Sequence, residues 1–345
     1  VAKRNKLSDG QKRRVRANRE KRLKKTDSID WEDEQLASPE DGIVISRFGQ
    51  HADVQTQDGL IFRCNIRRTV ESIVCGDQVL FRRSHVVQSG ISGIIEAVHE
   101  RRTVLTRPDY YDGIKAIAAN LDQVFIVSAI LPELSLNIID RYLVAIEDVG
   151  LAPVILVNKV DLLSEQELEE LSQKLEIYRS LGYPVMYSST HKSLGFEQIH
   201  QQLKGHTSIF VGQSGVGKSS LVNQLLPEQD ILTKEVSEVS GLGQHTTTTA
   251  RLYSLPQGGQ LIDSPGVREF QLWHLEKERV TWGFREFREP VEHCRFRDCK
   301  HEGDPGCGLQ AAIDNHQIDP VRHDSFLRIL DSMVENKPSR NIRGR

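Results

Sequence analysis

Three observations predict a multidomain α/β chain in three parts. Residues 42–107 hold five or six short β-branched and apolar runs at close spacing, the pattern of a small β-barrel. From about Gly113 strand-like and helix-like periods alternate, which predicts a mainly parallel sheet with helices on both faces. Near the C-terminus three Cys and a His fall within fourteen residues, ahead of one last amphipathic helix, as in a small metal-bound helical module. At 345 residues the chain is long for one domain, and more than one core is expected. The predicted parts are a basic arm and linker over 1–38, a barrel over 39–107, an α/β domain over 108–275, and a metal-binding module with a basic tail over 276–345.

Charge is unevenly spread. The net charge is −3, yet residues 1–25 carry twelve Lys/Arg against Asp9 and Glu20. The other 320 residues hold 33 basic and 46 acidic groups. A basic arm on an acidic body points to a polyanion partner, with RNA the natural one because each neutralised phosphate releases counterions. A solubilising or cloning-derived tail is the plainer alternative. No apolar run reaches membrane-spanning length, 124–131 being the longest, so no membrane partner is expected. The arm lacks the apolar core of a signal peptide, and five Cys do not make a disulfide framework. A cytoplasmic monomer is expected.

In the barrel region strands are predicted at 42–45, 51–55, 60–64 after an Asp58-Gly59 turn, 78–81, 93–98 and 103–105. An OB-type barrel is one candidate, and strand count alone does not separate it from an SH3-like one. Arg63, Arg67, Arg68, Arg82, Arg83, Arg101 and Arg102 suggest a basic RNA-contacting face, or merely solvated strand edges. Cys64 and Cys75 read as reduced core residues. In the next region strands at 121–129, 153–157 and 184–187 alternate with helices at 137–149, 165–181 and around Phe196, Ile199 and Leu203.

The stretch that organises this region is Gly212-Gln213-Ser214-Gly215-Val216-Gly217-Lys218-Ser219, which fits G-x-x-x-x-G-K-[ST]. The β-branched run 207–211 precedes it, and a helical run beginning at Ser220 follows. Glycines there let successive N–H groups turn toward an anion, and the helix N-terminus adds partial positive charge. Lys218 is placed to reach β- and γ-phosphates, and the Ser219 hydroxyl to bind Mg²⁺. Asn158-Lys159-Val160-Asp161 ends a predicted strand and matches N-K-x-D. A carboxylate at Asp161 suits guanine, which offers N1–H and an amino group as adjacent donors, so GTP is selected over ATP. Asn158 is expected at the other edge of the base and the Lys159 stem along its ring. Ser188-Ser189-Thr190 resembles loosely the S-A-K loop that meets guanine O6, or is a plain turn.

Downstream, Asp263-Ser264-Pro265-Gly266 reads as D-x-x-G, with Asp263 holding Mg²⁺ through water and the Gly266 N–H sensing the γ-phosphate. Between them Gly241-Leu242-Gly243-Gln244-His245 and four threonines suggest a loop that closes on Mg²⁺ through Thr247 or Thr248. These are the parts of a GTPase site in a changed order, since N-K-x-D and the serine loop precede the phosphate loop. A circularly permuted P-loop GTPase domain accounts for that order. Val267 stands where many GTPases place a water-orienting Gln, so His245 or a partner's group is expected to do so, and intrinsic turnover to be slow. His245 as an ordinary surface residue is the alternative. Finally, Cys294, Cys299, His301 and Cys307 make a complete set for one tetrahedral structural Zn²⁺. His293 competes with His301, but it adjoins Cys294 and would need a strained chelate.

A barrel, a permuted G domain with Gly-Leu-Gly-Gln-His-Thr-Thr-Thr and Asp-Ser-Pro-Gly-Val-Arg-Glu-Phe, and the C-x₄-C-x-H-x₅-C cluster together resemble the ribosome small-subunit-dependent GTPase A family of bacteria. The resemblance covers residues 40–335. It implies an OB-fold N-terminal domain and a factor that binds the small ribosomal subunit and its rRNA late in maturation. Such a factor hydrolyses GTP to GDP when the subunit stimulates it, and then leaves. It carries Gly212 to Ser219, Asn158 to Asp161 and Asp263 to Gly266 over as the GTP site, and the four Cys/His residues as zinc ligands; Ser188, Ser189 and Ser220 are further GTP-binding candidates, the match at Ser188-Ser189 being loose. Two rivals are an RNA-binding scaffold with a purely structural nucleotide pocket, and a GTPase that serves another RNA such as tRNA.

Overall fold

The computed structural model describes residues 33–70, 72–109, 113–226, 250–264, 272 and 275–335. The basic arm, His245, Thr247, Thr248, Gly266 and Val267 lie outside the described residues. The N-terminal strands are β1 (Glu40–Phe48), β2 (His51–Gln55), β3 (Ile61–Ile66), β4 (Gln78–Gln88) and β5 (Ile91–Val98). β1 pairs with β2, β2 with β3, β3 in parallel with β5, β5 with β4, and β4 back with β1, so the pairings form a closed circuit. The length of β1 makes this possible. Its first residues pair with β4 and the rest with β2, with a bulge between Val44 and Ser46 that turns the strand from one neighbour to the other. Val44, Val54, Cys64, Phe81 and Ile95 are fully buried inside the circuit. Burial pushes the Cys64 and Cys75 thiols well above their ordinary range, as inert core cysteines require.

Six of the seven arginines singled out in the sequence have a carboxylate or carbonyl partner, and Arg68 is exposed. Arg63 pairs with Asp53 at 2.9 Å, Arg67 with Glu96 at 2.9 Å, Arg101 with Asp77 at 2.6 Å and Arg102 with Asp122 at 3.1 Å. Arg83 pairs with Glu40, and Arg82 donates to the Ala37 carbonyl at 2.7 Å. The carboxylate partners come from other segments of the chain, ten to forty-three residues away.

β6 (Val104–Asp109) and β7 (Gly113–Ala119) make a separate hairpin that runs across residues 107–108, so no break in pairing falls at the predicted boundary. The main sheet then follows. Its strands are β8 (Gln123–Ala129), β9 (Ala152–Asn158), β10 (Val185–Tyr187), β11 (Thr207–Val211), β12 (Arg251–Ser254) and β13 (Gln260–Asp263), in the order β10-β9-β8-β11-β13-β12. All neighbours are parallel except β12, which is antiparallel to β13. β8 and β9 are buried on nearly every residue, because helices cover both faces. These are α1 (Leu136–Asp148), α2 (Glu165–Lys174), α3 (Glu176–Arg179), α4 (Phe196–Leu203) and α5 (Lys218–Leu225). The single helix expected over 165–181 is thus two, broken at the fully buried Leu175. α2 starts on a capping box in which Ser164 and Glu167 satisfy each other's backbone N–H.

The C-terminal module contains α6 (Lys277–Gly283), 3₁₀ turns at Arg285–Phe287 and Pro290–His293, α7 (Gly308–Asp314) and α8 (Pro320–Glu335). Phe284, Phe287 and Phe326 pack edge to face and stacked within it, with centroids 4.7–5.7 Å apart. The module lies on α1, whose acidic side chains meet its arginines. Asp140 pairs with Arg322, Glu147 accepts from Arg285 at 2.7 Å and Arg288 at 2.8 Å, and Asp148 pairs with Arg279 at 2.7 Å. On the opposite side β1 meets β12 through one antiparallel pair, Ser46 with Arg251, and Cys75 bridges to Ala118.

Candidate nucleotide site and metal cluster

β11 is the central strand of the main sheet, and the phosphate loop leaves its C-terminal end, where open α/β sheets bind ligands. Gly212, Gly215 and Gly217 all have positive φ, of 145°, 82° and 96°. At Gly217 no side chain fits, since a Cβ would meet the Asn158 amide nitrogen. The loop therefore needs glycine there for a close approach to the segment that follows β9. Gly217 is also the N-cap of α5, so the first N–H groups of that helix face the loop. The Lys218 ammonium donates to the carbonyls of Gly212 at 2.6 Å and Gln213 at 2.5 Å. A phosphate in the loop would take over that ammonium. Ser214, Ser219 and Ser220 are exposed, Gln213 is half-buried, and Val216 is buried beneath the loop.

Asn158 to Asp161 is joined to this loop directly. The Asn158 amide donates to the Val216 carbonyl at 3.0 Å. Lys159, in the left-handed region at φ 63°, donates to the carbonyls of Gly215 and Leu131 at 2.6 Å each. Ser188, which is fully buried, donates its hydroxyl to Asn158 Oδ1 at 3.1 Å. A hydrogen bond from Ser189 holds the Asp161 carboxyl below the usual carboxylate range, so Asp161 stays an acceptor well into mild acid. The 188–190 segment is thus packed on the N-K-x-D residues, and its two serines orient their side chains. Asp263, at the end of β13, has its carboxyl pushed up by burial, with the nearby Lys218 ammonium opposing the shift. A divalent cation would favour the ionised form. The structure therefore brings Asn158, Lys159, Asp161, Ser188, Ser189, the loop 212–219 and Asp263 to one end of the sheet.

Sequence reasoning did not anticipate Leu131 and Pro132. The Leu131 carbonyl is a second acceptor for Lys159, and Pro132 would be the nearest neighbour, at 3.8 Å, of a Cβ on Gly215. A carbonyl carries no signal in the sequence, so only the fold reveals it.

The second cluster lies in the C-terminal module. One donor atom from each of Cys294, Cys299, His301 and Cys307 falls within 4.8 Å of all the others. His301 Nδ1 is 3.6 Å from both Cys294 Sγ and Cys307 Sγ. Tetrahedral bonds of the lengths zinc makes to sulfur and nitrogen give ligand–ligand edges of roughly 3.4–3.8 Å. Three soft thiols and an imidazole at that spacing fit one structural Zn²⁺. His301 has φ 62°, and its carbonyl accepts from His323 of α8 at 2.9 Å, so the final helix holds the turn that aims the imidazole. The competing His293 points elsewhere, to Glu289 at 2.7 Å. Four protein ligands leave no open position, so a metal there holds the module together and does no chemistry.

Comparison with known proteins agrees with this geometry. The family model described as RsgA GTPase matches residues 98–273. A protein of Pectobacterium carotovorum named small ribosomal subunit biogenesis GTPase RsgA is 59% identical over 335 residues, 96% of each chain. A Vibrio vulnificus protein named small ribosomal subunit biogenesis GTPase RsgA 1 is 56% identical over 342 residues, 99% of this chain and 97% of that one. The crystal structure of YjeQ from Thermotoga maritima superimposes with a TM-score of 0.69 at 32% identity, over 87% of this chain and all of that one. The crystal structure of YloQ, described as a circularly permuted GTPase, does so with a TM-score of 0.69 at 25% identity, over 90% and 99%. With the 212–219 loop behind Asn158 to Asp161 in sequence but beside it in space, and with these relatives matched over nearly their full length, the chain belongs to the RsgA GTPase family.

Proposed function

We propose that the protein is a Mg²⁺-dependent GTPase that binds the small ribosomal subunit late in its maturation, hydrolyses GTP under the subunit's stimulation, and then dissociates. The observation that carries this reading is the bonding of Asn158 and Lys159 to the carbonyls of Val216 and Gly215, which supports base recognition and phosphate binding in a single site. The names of its relatives support the small subunit as partner.

In this reading Asp161, held ionised by Ser189, accepts from guanine N1–H and the amino group, while Asn158, Ser188 and Ser189 frame the base edge. Backbone N–H groups from Gly212 to Ser220 cradle the phosphates, and Lys218 leaves its two loop carbonyls for the β- and γ-oxygens. Ser219 and Asp263, with Thr247 or Thr248, would hold a Mg²⁺, which would supply charge neutralisation for phosphoryl transfer. The Gly266 N–H senses the γ-phosphate, and His245 or a group of the subunit places the water. The basic arm over 1–25 contacts rRNA phosphates, the closed five-strand circuit is an OB-type barrel, and the domains fall near 39–107, 108–275 and 276–345. The protein acts as a cytoplasmic monomer.

The test is phosphate release with and without purified small subunits. Turnover should be slow alone and rise by orders of magnitude with subunits; equal turnover in both would sink the proposal. Asp161→Asn should reduce GTP affinity at least about a hundredfold and favour xanthosine triphosphate, whose 2-oxo group needs a donor.

A further inference from the structure

Helix α1 touches the nucleotide end of the molecule and the C-terminal module at once. The loop 130–135 that leads into it supplies the Leu131 carbonyl to Lys159, whose ammonium also binds Gly215 of the phosphate loop. Nine residues on, Asp140 receives Arg322 of α8 and the Tyr178 hydroxyl at 2.7 Å. Arg322 is 1% exposed and also pairs with Glu286, which is 5% exposed, at 2.6 Å. Its guanidinium lies over the Phe284 ring, 4.5 Å from the centroid.

We propose that the loop 130–135 and α1 form a coupling rod, by which occupancy of the guanine end of the nucleotide site favours docking of the C-terminal module on α1. This rests on the nucleotide reading above. The physical case is the burial of the cluster. A buried arginine flanked by two carboxylates tolerates no partial separation, because a small slide leaves uncompensated charge in an apolar setting. The seam is therefore an all-or-none contact, the kind of element that a small bias can shift. The bias enters at Lys159, whose ammonium clamps Leu131 to the phosphate loop and whose stem is where the guanine ring would lie. A γ-phosphate plays no part in this route, so GDP and GTP drive it equally. That separates it from any switch that reads hydrolysis.

The test is hydrogen exchange, read by mass spectrometry on the zinc-loaded full chain, without nucleotide, with GDP, and with a non-hydrolysable GTP analogue. Peptides of α8 should exchange roughly fivefold or more slower with either nucleotide, equally for both. Arg322→Lys keeps the charge but loses the forked geometry, and should shrink that protection to below twofold. By reciprocity it should also weaken GDP binding by the factor lost. If Arg322→Lys fails to retain zinc, Glu147→Gln, which removes charge from the acceptor shared by Arg285 and Arg288, serves in its place. GDP that protects the phosphate loop but leaves α8 unchanged would overturn the proposal. So would α8 protection with the GTP analogue alone, or protection unaltered in the variants. Failure of GDP to bind the parent chain would instead remove the nucleotide reading itself.

Discussion

The main α/β sheet meets its two neighbours through different chemistry. Toward the barrel the seam is backbone pairing and apolar packing, with Ser46 on Arg251, Cys75 on Ala118, and Ile45, Leu105 and Leu252 in one shared core. Toward the C-terminal module, apolar packing is joined by a row of charge pairs in which α1 supplies the acids and the module the arginines. Apolar contact is non-directional and deforms gradually, whereas a buried ion cluster has one good geometry and many bad ones. On this contrast the C-terminal module is the neighbour expected to separate all at once, whereas backbone pairing keeps the barrel in register.

The comparison can be broken most forcefully at the zinc ligands. Chelation, or Cys299→Ser, should unfold the C-terminal module, since structural zinc contributes on the order of 10 kcal/mol to such modules. Nucleotide binding at the phosphate loop should survive. Metal content and thermal unfolding followed together check this, and a metal-free module that melts like the parent's would contradict it. Arg322→Met comes next. It strands Asp140 and Glu286 in the interior and should cost about 3–5 kcal/mol, by denaturant unfolding, in the transition of the C-terminal module. A loss below 1 kcal/mol would mean that the cluster is not what holds the seam.

On the barrel side Gly76→Ala tests the rigid seam. Gly76 has φ 90°, and a Cβ there would run into the Ala119 carbonyl. Backbone strain and the collision should together cost at least about 2 kcal/mol, and barrel peptides should exchange faster while α8 is unaffected. The smallest effect is expected at Arg279→Ala. That guanidinium is 58% exposed beside Asp148, so its loss should cost under about 1 kcal/mol and diminish with salt. A loss as large as that of Arg322→Met would erase the distinction between the buried and rim pairs of this seam.

The legible parts of the molecule are those whose residues are neighbours in sequence. The phosphate loop, Asn158 to Asp161 and the Cys/His cluster each lie within about fourteen residues, so spacing alone carried their chemistry. Most strands and helices followed their periodicity within a few residues. β7 did not, because Gly-Ile-Lys-Ala-Ile-Ala-Ala has the small-residue composition of a helix and becomes a strand only by pairing with β6. The pairing of the barrel arginines was not legible for a related reason. Their partners, such as Glu96 for Arg67 and Asp77 for Arg101, come from other segments of the fold, and which segments meet does not show in spacing. Arg322 reads as a polar residue on a helix surface, and nothing local says that it is among the most buried side chains of the chain.

One feature of the sheet bears on how the chain is made. β11 lies in the middle, between β8 and β13, yet it follows β8, β9 and β10 in sequence. During synthesis from the N-terminus, β8, β9 and β10 are made before the central strand exists. A nascent chain that has reached residue 206 therefore contains β9 and the Asn158 to Asp161 segment at its end, with the 212–219 loop still unmade. The nucleotide cannot act as a scaffold for the early half-sheet. It can reward only the last step, when β11 pairs with the open edge of β8 and β13 then pairs beside it.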